Sequence, residues 1–111
     1  MATGRATAIH LIENDGRIRI LDVSEDLYES GYWVLADDVA EELTGGDIYF
    51  HKAQAAPSFF GGKILGFRKQ EDGEFAGRII FELRASLSHK NVKTLGGGWG
   101  REKKIVRDSE G

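Results

Sequence analysis

The stretch LADDVAEELTGG, residues 35–46, carries the chain's helical repeat. Leu35, Val39 and Leu43 recur every four residues, while Asp37, Asp38, Glu41 and Glu42 face away from them. A helix is predicted over Ala36–Leu43. Its two early aspartates complement the positive end of the helix dipole, and Gly45-Gly46 supplies a stop.

Around this helix the pattern is short and alternating, as in strands. Ala6–Glu13 and Arg17–Val23 flank the turn signal Asn14-Asp15-Gly16 and read as a hairpin or an extended pair. Ser24–Ser30 is polar and reads as a helical turn capped by Ser24, followed by the strand-like Tyr32-Trp33-Val34. Asp47–Lys52, Lys63–Arg68 and Gly77–Arg84 read as three further strands, the last two joined by a turn at Asp72-Gly73. A final strand is predicted at Lys103–Arg107. Short strands, one short helix and glycine-rich connections predict an α+β, mainly β domain: a small, mostly antiparallel barrel with one or two short helices. The length of 111 residues fits one domain, residues 1–111, with frayed ends at 1–5 and 108–111.

Composition removes several classes of function. Cysteine is absent, which excludes disulfides, thiolate zinc sites and cysteine nucleophiles. The opening MATGRATAIHLI lacks the apolar core of a signal peptide, and no apolar run approaches membrane-spanning length. A cytoplasmic protein with no membrane partner is expected. The net charge of −3 conceals an asymmetry: residues 22–47 hold nine acids and no Lys or Arg, while residues 86–107 hold six bases and one acid. These segments read either as solvated faces that attract each other or as an acidic docking face and a basic nucleic-acid face.

The segment DIYFHKAQAAPSFFGGKILGF, residues 47–67, reads as two strands around a loop that carries the single proline, Pro57, with Phe59 and Phe60. Period-2 spacing puts Ile48 and Phe50 towards the core and Tyr49 and His51 on the outer or cleft side, with Lys52 free to turn outward. The aromatics either plug the end of a core or wall a binding site. A flipped base needs flat apolar faces and a few polar groups for its edge. Tyr32, Trp33, Phe59, Phe60 and Trp99 are candidates for the first role. His51 and Lys52 suit a phosphate or base edge. Gly96–Gly98, ahead of Trp99, either brings backbone N–H groups to phosphate or forms a turn. His10, His51 and His89 lack zinc-type spacing, so no metal or other cofactor is expected.

The order strand, acidic helix, TGGDIYFHK, aromatic loop, GGKILGF, turn, GRIIFEL resembles the PUA-like superfamily over residues 30–84, with the ASCH and EVE branches nearest in pattern. The carrying residues are Gly46-Asp47-Ile48-Tyr49-Phe50 and Gly62-Lys63-Ile64-Leu65-Gly66. The resemblance implies a PUA-like domain that recognises RNA, or a modified or flipped base in DNA, in a cleft between the helix and the barrel rim. Some ASCH members are instead amidohydrolases on modified nucleosides that use Lys, Thr and Glu; Lys52 or Lys63, Thr44 or Thr94, and Glu74 or Glu82 are the types available here.

Three classes are thus carried forward: a nucleic-acid-binding module, a protein-interaction module using the acidic 22–47 face, and the amidohydrolase. Binding is ranked ahead of catalysis, and no catalytic residue is named. The expected nucleic-acid site comprises Trp33, His51, Lys52, Phe59, Phe60, Lys63, Trp99, Arg101, Lys103 and Lys104. The expected partner is RNA or single-stranded or modified DNA.

Overall fold

The computed structural model describes residues 4–94 and 97–108. Seven strands form one sheet: β1 (Ala6–Ile12), β2 (Ile18–Asp22), β3 (Leu27–Trp33), β4 (Asp47–His51), β5 (Ser58–Lys69), β6 (Ile79–Ala85) and β7 (Lys103–Arg107). The spatial order is β2-β3-β6-β5-β4-β1-β7, with every pairing antiparallel except β1 with β4. β2 and β7 are left as edges, so the sheet is open rather than the closed barrel expected. The α-helix, α1, spans Asp37–Leu43, and a 3-10 turn spans Leu87–His89. No helix among the described residues is long and apolar enough to cross a membrane.

The predicted pairing of the first two strands is overturned. The turn at Asn14-Asp15-Gly16 exists, with Gly16 at φ +69°. However, β1 leaves it to pair with β4 and β7, while β2 pairs with β3. Burial explains the choice. Ala6, Ala8, Ile9, His10 and Leu11 are all buried, so β1 needs a neighbour on each side; Arg19 to Asp22 of β2 are exposed, which suits an edge. The polar segment from Ser24 forms a turn and then β3 rather than a helical turn. At the ends, Arg5 and Asp108 exchange hydrogen bonds (Arg5 N–H to Oδ1, 2.7 Å; Asp108 N–H to Arg5 O, 2.9 Å), so these two are tied together; residues 1–3 and 109–111 lie outside the described set.

Ile9, Leu11, Ile48, Phe50, Ile64, Phe81 and Leu83 form one buried cluster with Ala40 and Leu43 of α1. The Gly45-Gly46-Asp47 turn fixes the helix against the sheet. Gly45 N–H donates to Ile64 O at 2.8 Å, and Gly46 N–H to Leu43 O at 2.8 Å. A side chain at Gly46 would run into the Thr7 carbonyl, so β1 and β4 approach this closely only because residue 46 is glycine.

Candidate functional site

Four pieces of chain meet around one cleft: the loop after β1, the end of β3, the loop between β5 and β6, and the residues before β7. They bring together Tyr32 and Phe75, whose rings stack with centroids 4.6 Å apart and planes 4° from parallel. The Arg17 guanidinium carbon lies 4.5 Å from the Phe75 centroid and 5.7 Å from that of Tyr32, and Arg78 lies 5.5 Å from Phe75. Both arginines are within cation–π range, and both rings are half-buried.

This wall borders two hollows of about 320 and 290 Å³. The first adds Arg19, Glu29 and Ile80; the second is the more polar and reaches Glu13, Trp33, Glu74, Arg78 and Glu102. Arg78 also borders an open trough of about 520 Å³ that runs past Val34–Ala36 to Lys103. The acids and bases around the polar hollow are mixed: Glu13, Asp15, Glu74 and Glu102 with Arg17 and Arg78.

Glu13 is the most constrained charged group here. It is 4% exposed, and its backbone N–H donates to His51 O at 2.9 Å. Its Oε2 accepts from the backbone N–H groups of Asp15 (2.9 Å) and Arg17 (3.3 Å), which folds the loop around the carboxylate. Among the described residues its Oε1 has no hydrogen-bond partner, and the Arg17 guanidinium has neither hydrogen bond nor ion pair. An acid and a base therefore line one hollow without pairing to each other.

A second polar cluster lies on the outer face of β1 and β4. His10 stands opposite Tyr49 on one side and Lys104 on the other. The His10 and Tyr49 rings stack at 4.6 Å, and Tyr49 stacks in turn on His89 at 5.0 Å. His51 Nδ1 lies 2.9 Å from Ala56 O, which can only accept, so Nδ1 carries the proton and Nε2 accepts from His10 Nδ1 at 2.8 Å. Burial, then His51 and Lys104, lower the His10 pKa to about 4. His89 Nε2 lies 2.9 Å from Asp47 Oδ1, which also accepts from Lys63 at 3.1 Å. Burial works against the ionised Asp47, but the bonds from His89 and Lys63 outweigh it and hold the carboxyl below its ordinary value. Burial, then Asp47, raises the Tyr49 hydroxyl. Gly61 makes room for this stack, since a side chain there would meet the His89 Cβ at 3.0 Å. The cluster is a polar packing layer with His10, His51 and His89 buried, and His10 and His89 both stack on Tyr49. Among the described residues no His, Asp or Glu grouping suits a metal ion.

The predicted site residues do not share one concavity. Trp33 is 5% exposed, donates from Nε1 to Ser30 Oγ at 2.9 Å, and backs the polar hollow without an open face. Phe60 and Phe59 sit within β5, not in a loop, and both are half-buried against the core. Phe60 packs on Phe50 (5.9 Å) and Tyr28 (4.9 Å), whereas Lys52 Nζ lies 4.5 Å over the Phe59 ring. His51 does face outward from the core, but the ring of Trp99 stands edge-on to it at 5.6 Å, and His51 is fully buried. Lys63 and Lys104 flank the outer polar cluster, and Lys104 donates to Thr94 Oγ1 at 2.8 Å. Arg101 is exposed, and its carbonyl accepts from Gln54 at 3.3 Å. Of the set, only Lys103 and the back of Trp33 border the cleft system. Of the predicted glycine loop, Gly96 lies outside the described residues, and Gly98 packs against the Lys104 stem.

Arg17, Phe75, Arg78 and Glu13 were missed by sequence reasoning. Arg17 and Arg78 read as polar-face strand residues, and Glu13 as a strand end. Phe75 offered a usable signal: one aromatic in a short turn between Gly73 and Gly77, three residues ahead of Arg78. Comparison of the chain with protein-family models, curated proteins and solved structures finds no match.

Proposed function

We propose that this protein is a nucleic-acid-binding module that holds a base of RNA, or of single-stranded or modified DNA, in the cleft beside Tyr32 and Phe75. The observation that carries this reading is the parallel Tyr32–Phe75 pair with Arg17 beside it, open to a hollow with polar walls. Rings and guanidinium planes are the surfaces on which unpaired bases stack. The trough bordered by Arg78 and Lys103 offers the attached sugar-phosphate two cations. The same reading takes the chain as a PUA-like domain, supported by the helix, the Gly46-Asp47 turn and the strand that follows.

Binding rather than turnover is favoured by where the amidohydrolase candidates lie. Thr44 closes α1 through Ala40 O at 3.3 Å, Lys63 is paired with Asp47, and Thr94 with Lys104. Glu74 borders the cleft, whereas Glu82 is exposed on β6.

Titration of a single-stranded oligonucleotide by fluorescence anisotropy tests the proposal. Phe75→Ala should weaken binding by about 1–3 kcal/mol, the range for one base–aromatic stack. Its melting should fall modestly, since the stack on Tyr32 is lost, while the protein stays folded. Undiminished affinity in a folded Phe75→Ala protein would overturn the reading.

A further inference from the structure

The polar hollow is lined by an acceptor and a set of donors that have no hydrogen-bond partner among the described residues. Glu13 is 4% exposed, and its Oε2 is fixed by the N–H groups of Asp15 and Arg17. That fixing orients the carboxylate of a residue that lines the hollow and leaves its Oε1 without a partner among the described residues. A buried carboxylate oxygen left unpaired is costly, and such exceptions mark places where a ligand or water completes the site. Arg17 contributes guanidinium donors to the same hollow, with only aromatic contacts of its own.

We infer that the base selected by this cleft is guanine, with Glu13 as the residue that determines the choice; the inference rests on the base-binding reading above. The edges of the bases decide it. Guanine presents two adjacent donors, N1–H and the 2-amino group, and on its other side two acceptors, O6 and N7. Its donor pair suits Glu13 Oε1, and its acceptor pair suits Arg17. Adenine flanks its amino group with ring-nitrogen acceptors on both sides, each of which would face the carboxylate with a lone pair, whereas cytosine does so on one side and can give Glu13 a single N4–H from its C5–H side. Uracil flanks its one N–H with two carbonyl oxygens and meets the same repulsion on both sides. Guanine alone offers Glu13 two adjacent donor groups with no acceptor set against it.

The experiment uses oligouridine carrying one guanosine, and matched strands with adenosine, cytidine or inosine at that position. The wild-type protein should bind the guanosine strand about tenfold or more tightly than the adenosine and cytidine strands. Inosine, which lacks the 2-amino group, should fall between. Glu13→Gln tests the residue itself. The backbone N–H groups of Asp15 and Arg17 hold the amide oxygen, which turns the NH2 group to the hollow and replaces an acceptor by a donor. The variant should fold, still bind, and lose or reverse the preference for guanosine. Equal binding of all four strands by the wild type, or the same preference in Glu13→Gln, overturns the guanine inference and leaves base binding standing. Failure to bind any strand removes both.

Discussion

His10 is neutral in the folded protein because burial, His51 and Lys104 all oppose its protonated form and lower its pKa from 6.5 to about 4. The unfolded chain therefore binds a proton between about pH 6.5 and pH 4 that the folded chain does not. The stability contributed by neutral His10 is fully present above pH 6.5 and is lost as the pH falls towards 4. Denaturant midpoints measured across that window should fall with decreasing pH, and His10→Asn should flatten the fall. A wild-type midpoint that is level across the window would contradict the role given to the His10–His51 bond. Asp47 titrates lower, below its ordinary value, so its contribution is lost at more acid pH and does not mask this one.

At the scale of elements, β5 decides what the two phenylalanines do. Its first residues pair with β4, Phe60 opposite Phe50 and Ser58 opposite His51, with a bulge between. Phe60→Ala should cost about 2–3 kcal/mol in unfolding free energy, less than the ~3–5 of a fully buried phenylalanine. Its ring loses Phe50 and Tyr28, whereas Phe59→Ala loses the exposed Lys52 contact and should cost less. Equal losses in the two variants would put both rings in the same core role. Alternation in β4, the bounds of β7 and the position of α1 to within one residue were legible, because each depends on a local period. The early start of β5 was not. Gly61-Gly62 reads as a break in isolation, but here it lets β5 lie close to Ile48 O, Arg84 O and His89. The partners of β1 were not legible either, because long-range burial chose them over the adjacent turn.

Across the whole molecule, five of the nine acids of residues 22–47 are paired with Lys or Arg. Glu25 pairs with Arg84, Glu29 with Arg19 and Arg68, Asp37 with Lys69, Glu42 with Arg107, and Asp47 with Lys63. Exposed pairs of this kind each contribute about 0–1 kcal/mol. They offset part of the run locally, mostly with bases from β2, β5 and β6, while the 86–107 segment contributes Arg107 and the His89 contact with Asp47. What remains distinctive on the molecular surface is the cleft where four connections meet, and a base is expected there. Backbone amide shifts during titration with a single-stranded, guanosine-containing oligonucleotide test that claim most directly. Residues 13–17, 31–33 and 74–78 should move together and saturate together. Shifts confined to the outer face around His10, Tyr49 and Trp99, or no shifts at all, would contradict it.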